Sequence, residues 1–163
     1  MQDFQELSLR TSVTAGDCEH VRAITRSTGF FTDPEVEVAV ELVEERLAKG
    51  PASGYHFIFA EVDGRPVGYS CFGPIPCTVS SYDLYWIAVD ADARGRRVGT
   101  RLLDESEKAV ARLGGTRVYV ETSSRAQYEP TRRFYEQRGY RREALLEDFY
   151  APGDGKVMYV KAL

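Results

Sequence analysis

Residues 81–103 read SYDLYWIAVD, then ADARGRRVGT, then RLL, and their reading decides the fold. The first piece is an aromatic and β-branched run, the composition of a buried strand. The last opens a helix, with Val98, Leu102 and Leu103 on one face. Between them, Arg94-Gly95-Arg96-Arg97-Val98-Gly99 sets small residues and positive charge where the helix begins. The first amides of a helix have no acceptor within it, and the helix dipole is positive there. Strand, basic glycine loop and helix in this order predict a seat for the phosphates of a cofactor.

Downstream, the helix should run to about Leu113 and stop at Gly114-Gly115. A strand follows over Arg117–Thr122, then a short helix over Pro130–Arg138 closed by Gly139. Tyr140–Tyr150 and Lys156–Lys161 predict a closing hairpin across residues 152–155, PGDG. Upstream, Tyr55–Val62 and Val67–Phe72 form a hairpin about Asp63-Gly64. Before it come two helices. The first is capped by Asp17 and ends near Gly29; the second is capped by Asp33 with Pro34 behind it. Leu7 and Leu9 alternate as a first strand. Hairpins early and late exclude an all-parallel sheet, while residues 81–122 make a right-handed crossover between parallel neighbours. The class is therefore α/β, a mixed sheet in a single domain over 1–163. It is not a doubly wound dinucleotide fold, and GxGxxG is absent.

Composition narrows the function. The net charge of −4 over 163 residues argues against nucleic acid and anionic membranes as partners. Cys18, Cys71 and Cys77, odd in number and without CxxC spacing, point to a reducing compartment and to roles as small buried hydrophobes. With only His20 and His56, no metal site is expected. The start MQDFQELSLR lacks a signal-peptide profile, and no apolar run reaches membrane-spanning length. A soluble cytoplasmic protein is expected.

At this point the sequence resembles the GCN5-related N-acetyltransferase (GNAT) superfamily. Its cofactor motif, Gln/Arg-x-x-Gly-x-Gly/Ala, is similar to Arg94–Gly99, with Arg97 standing where the family usually has glycine. Its FYxxxGF segment resembles Phe134-Tyr135 through Gly139-Tyr140. The resemblance covers nearly the whole chain. It implies a mostly antiparallel sheet of about seven strands flanked by about four helices, splayed between strands 4 and 5. It implies acetyl-CoA as co-substrate, its diphosphate on amides of Arg94, Gly95, Arg96, Arg97, Val98, Gly99 and Thr100. The pantetheine arm would pair with the backbone of Ile87, Ala88 and Val89, and Phe134 would pack against it. Arg132 or Arg133 would reach an outer phosphate. Tyr135 would face the sulfur and act as the acid for the leaving thiolate.

An amine nucleophile with a pKa of ~10.4 must lose a proton before it attacks. Asp83 is the first candidate base, sharing a strand face with Ile87. Glu121 is the second, and a water relay is a third route. A strand-start cap for Asp83 and a structural ion pair for Glu121 remain the competing readings. Oxyanion stabilisation falls to a backbone N–H near Ala88. Phe31, Tyr82, Tyr85 and Tyr128 are expected to line the acceptor groove, with Phe30, Glu35 and Tyr150 near it. Aromatics beside acids suit a small cationic amine or an amino-acid-like acceptor. A protein acetyltransferase acting on lysines or N-termini, a non-catalytic acyl-CoA sensor and a basic-patch nucleic-acid binder stay open as alternatives. So does a homodimer.

Overall fold

The computed structural model describes residues 6–163; Met1–Gln5, part of the start read against a signal peptide, lie outside them. The elements are β1 (Leu7–Arg10), α1 (Asp17–Ser27), α2 (Asp33–Lys49), β2 (His56–Val62), β3 (Arg65–Pro74), β4 (Ser81–Val89), α3 (Val98–Arg112), β5 (Arg117–Ser123), α4 (Glu129–Gln137), β6 (Arg141–Ala151) and β7 (Asp154–Ala162). The strand order is β1-β2-β3-β4-β5-β7-β6. Pairing is antiparallel for β1–β2, β2–β3, β5–β7 and β6–β7, and parallel for β4–β5. The mixed, mostly antiparallel sheet with four helices is thus the observed class. No helix among the described residues is long and apolar enough to cross a membrane.

The chain divides into two compact units. One holds the chain to Gly73 together with Trp86–Ala109; the other holds Pro74–Tyr85 together with Val110–Leu163. In the first, one sheet face carries Phe57, Phe59, Tyr69, Cys71 and Ala88, packed against Val21 and Ile24 of α1 and Ala39, Val40 and Val43 of α2. Burying each such aliphatic side chain stabilises the unit by roughly 1.5–3 kcal/mol. The other face meets α3. A Cβ on Gly68 of β3 would stand 3.0 Å from Val98 and 3.1 Å from Leu102, so the missing side chain is what lets α3 sit close. Ser106 of α3 fixes the register, its hydroxyl 2.7 Å from that of buried Ser70.

Two helix starts differ from expectation. Thr32, not Asp33, caps α2 in a capping box: Glu35 accepts from the Thr32 N–H at 2.7 Å, and Thr32 Oγ1 accepts from the Glu35 N–H. Asp17 is the first residue of α1 rather than its cap. Its fully buried carboxylate turns back to accept from both Nη atoms of Arg10, at 2.8 and 2.9 Å, and from the Thr14 N–H at 2.8 Å. A guanidinium neutralises a buried charge, which a single helix amide cannot.

In the second unit, β5 and β7 bury Val118, Val120, Val157 and Tyr159 on one face. Tyr135 of α4 packs there, 6.1 Å from the Tyr159 ring and 5.5 Å from that of Tyr140. Gly115 is wedged where α3 turns into β5, because a Cβ there would lie 2.3 Å from Val110 and 2.7 Å from Tyr82. The expectation of three buried cysteines fails in one case. Cys71 is buried and Cys18 half-buried, but Cys77 is exposed, with φ +64°, in the turn between β3 and β4 that the Pro74 and Pro76 breaks create.

Candidate active site

β4 ends where Asp90 donates its N–H to the Val67 carbonyl at 2.8 Å. Its carboxylate then accepts from the Asp92 N–H at 3.0 Å and starts a single 3-10 turn, Ala91–Ala93. The run Arg94–Arg97 is exposed. Arg94 donates to the Thr28 carbonyl at the end of α1, at 3.0 Å, with its guanidinium 5.7 Å from the Phe30 ring. That places a cation at the negative end of a helix and leaves the Arg94 backbone to the loop. Gly95 and Arg97 both have positive φ, +78° and +59°. The Arg101 N–H donates to the Arg97 carbonyl at 3.1 Å, so the amides of Val98 and Gly99 precede the first closed turn of α3. Amides at a helix start beside the exposed Arg96 and Arg97 fit a pyrophosphate. In the same unit Ile87 and Val89 are half-buried, Ala88 is buried, and Phe31 meets Trp86 edge-on at 4.9 Å.

The start of β4 belongs to the other unit. Its parallel ladder with β5 joins Ser81, Tyr82 and Asp83 to Arg117, Val118 and Tyr119. Alternation along the strands puts Asp83, Tyr119, Glu121, Met158 and Lys156 on one face, opposite Val118, Val120 and Tyr159. Asp83 is half-buried and has no hydrogen-bond partner among the described residues. Burial, and next the charge of Glu121, raise its pKa above the usual carboxylate value; Lys156 offsets part of the rise. Glu121 takes Lys156 in a 2.8 Å ion pair, the diagonal pairing that the β5–β7 register allows. The Lys156 ammonium also lies 4.4 Å from the centre of the Phe149 ring, which is exposed and packs edge-on against Tyr150. Tyr85 is exposed on the Asp83 side of β4, whereas the Tyr82 ring points the other way, onto Gly115.

On α4, Tyr135 is 4% exposed, and its hydroxyl has no hydrogen-bond partner among the described residues. Burial pushes its pKa well up, so it stays protonated at neutral pH. The sequence left Arg132 and Arg133 as equal candidates; the structure separates them. Arg132 is committed to the carbonyls of Ser123 and Arg125, at 2.7 and 2.9 Å, and clasps the end of β5. Arg133 is exposed, pairs with Glu129 at 2.6 Å, and lines a concavity with Phe134, Pro130 and Gln137. Tyr128 lies under the Arg125 guanidinium at 5.6 Å.

Asp83 and Glu121 therefore share a face with Tyr85, while Tyr135 lies on the face of Tyr159. Lys156 and Phe149 escaped the sequence reading. The signal for Lys156 was its place two residues before Met158 on β7, the strand next to Glu121, and strand order cannot be read from chain order alone.

Comparison with known proteins gives the family and the fold. The model of the acetyltransferase (GNAT) family matches residues 19–140. A crystal structure from Desulfovibrio desulfuricans, described as of the GNAT family, is 45% identical with a TM-score of 0.95 and covers 96% of this chain and 99% of its own. An uncharacterised N-acetyltransferase of Methanocaldococcus jannaschii is 31% identical over 110 residues, 64% of this chain and 65% of that protein. An N-alpha-acetyltransferase of Sulfurisphaera tokodaii is 32% identical over 108 residues, 60% of this chain and 64% of that protein. The chain thus spans just under two thirds of the length of these two relatives.

Proposed function

This chain belongs to the GNAT acetyltransferase family, and on that premise we propose that it transfers an acetyl group from acetyl-CoA to a primary amine, by direct attack of the amine on the thioester. The single observation that carries the reading is Asp83: a half-buried carboxylate that no described residue hydrogen-bonds, made more basic than an ordinary carboxylate by burial and the charge of Glu121, is suited to take a proton from an amine.

Acetyl-CoA, when bound, supplies the activated acyl carbon. The first-turn amides of α3 and the charges of Arg96 and Arg97 hold its pyrophosphate. The backbone of Ile87–Val89 aligns the arm, and an N–H near Ala88 faces the developing oxyanion. Asp83 takes the ammonium proton, directly or through water. Glu121 acts on that proton only through its charge, since Lys156 holds its oxygen. The Tyr135 hydroxyl, which burial keeps protonated, donates a hydrogen bond to the departing thiolate, and the thiolate takes its proton from solvent as Asp83 gives one up there. A small cationic amine is the acceptor this reading favours, because Asp83 shares its strand face with exposed Tyr85 and exposed Phe149 already holds one ammonium, that of Lys156. The likeness to an N-alpha-acetyltransferase favours a peptide N-terminus as the second reading.

Thermal shift with acetyl-CoA tests the first half: at ~100 times its Kd the ligand should add about 2.7 kcal/mol. A thiol-release panel of monoamines, diamines, amino acids and N-terminal peptides tests the second. Turnover confined to neutral or acidic acceptors would refute the cationic-amine reading. Binding without release on any acceptor would turn the assignment to a sensor.

A further inference from the structure

Two carboxylates and one ammonium share one sheet face of the second unit, and the ammonium is the chain's own. Lys156 is 13% exposed at its side chain, 2.8 Å from Glu121 and 4.4 Å from the Phe149 ring centre. A carboxylate on one side and an aromatic face on the other is the surrounding a protein offers a cationic ligand. Here it is filled from within. Asp83, on the same face, receives no hydrogen bond from Lys156 or from any other described residue.

We propose that Lys156 is the built-in counter-ion of the acceptor site: by holding Glu121 it leaves Asp83 as the one carboxylate of the pair that meets the acceptor's ammonium. This rests on the acetyltransferase reading for its substrate, but not for its electrostatics. Lys156 is a positioning residue in this scheme, because it acts through Glu121 and Asp83. Two acids with one internal cation match a monocationic amine. Without Lys156 the same face would carry two uncompensated acids, suited to a dication. Glu121 on β5 and Lys156 on β7 are the charged groups whose fields reach Asp83, and they act in opposite directions.

The test uses Lys156→Met, Lys156→Arg and the double variant Lys156→Met with Glu121→Gln, in the full chain. The first readout needs no activity: the Asp83 carboxyl is titrated by carbon NMR in ligand-free protein. Lys156→Met should raise its midpoint by on the order of one pH unit, a tenfold gain in proton affinity. Lys156→Arg should leave it unmoved, and the double variant should return it towards the parent value while keeping the pair's net charge at zero. The second readout is the acid limb of kcat/KM, which should move up with the midpoint, and the diamine-to-monoamine ratio of kcat/KM, which should rise severalfold in Lys156→Met alone. A midpoint in Lys156→Met equal to the parent's, or one raised equally in Lys156→Arg, overturns the proposal. If no amine is acetylated by the parent protein, the acetyltransferase reading falls, while the carbon titration still decides the role of Lys156. Should Lys156→Met unfold, the double variant and Lys156→Arg, compared with Glu121→Gln alone, give the same coupling.

Discussion

The β1–α1 corner and the β4–β5 ladder each draw a carboxylate out of water, and they treat it in opposite ways. Burial alone would raise the pKa of Asp17, but the Arg10 guanidinium, the Thr14 N–H and His20 outweigh it and hold it down to about 2. Burial also raises Asp83, and there no hydrogen bond reverses it. The buried tyrosines repeat the contrast. Tyr69 shares a 2.7 Å hydrogen bond with Thr25, while the Tyr135 hydroxyl has none among the described residues. In the proposed reading Asp17 and Tyr69, whose partners are complete, maintain the fold, and Asp83 and Tyr135 meet the reacting groups.

Four substitutions would break or sharpen this contrast. Asp83→Asn should lower kcat/KM for an amine by about 100- to 10,000-fold near neutral pH, with acetyl-CoA affinity kept. It should also raise the melting temperature. A carboxyl whose folded pKa is raised adds stability below its unfolded pKa and loses it as pH rises through the folded value, so at neutral pH the ionised Asp83 is a burden that Asn removes. Parent-like turnover in this variant would remove Asp83 from the proton path. Tyr135→Phe should lower kcat by about 10- to 1000-fold. Its stability should barely change, because no hydrogen bond is lost; a large drop in melting temperature with kcat intact would make Tyr135 a core residue only.

Asp17→Asn inverts the pattern. The Asp17 pKa falls from 3.8 to about 2, which corresponds to about 2 kcal/mol of stability. That contribution is present above the unfolded pKa and is lost as pH falls through about 2. Urea melts at neutral pH should show the loss, with kcat/KM within about twofold of the parent at a temperature where both are folded. Activity lost in step with stability at that temperature would erase the division between the two corners.

How far the sequence carried the reading follows from the same physics. The fold was legible because its signals are local: alternation in Leu7 and Leu9, the Asp63-Gly64 turn, helical spacing from Val36 to Leu47. So was the glycine turn before α3, since Gly95, Gly99 and the start of α3 act through backbone within a few residues. The caps were misplaced by a residue because Thr32, Asp33 and Asp17 are all good cap types, and only tertiary partners such as Arg10 choose among them. The charge set Asp83–Glu121–Lys156 was half legible. Its acids lie on consecutive strands of the crossover, but Lys156 arrives through β7, whose place beside β5 is fixed by non-local pairing. Burial separated Arg132 from Arg133 in the same way, through carbonyls seven and nine residues away.

The smallest expected effect concerns the residue that departs from the family's motif. Arg97 holds φ +59°, a left-handed conformation that glycine adopts without the Cβ clash and that costs other residues about 1 kcal/mol. Its cation also stands at the positive end of the α3 dipole, an unfavourable site while no anion is bound. Arg97→Gly relieves both costs but gives the unfolded chain more freedom, which takes back roughly 0.5–1 kcal/mol. The ligand-free protein should therefore gain at most about 1 kcal/mol in a urea melt. Acetyl-CoA should bind about two- to fivefold more weakly by isothermal titration, with a shallower dependence on salt, because one phosphate-facing charge has gone. On the proposed reading strain and charge pull in opposite directions at one position, and a bound anion would offset the cost to the free protein. Tighter acetyl-CoA binding in Arg97→Gly would show that the guanidinium only obstructs the close backbone approach a glycine permits.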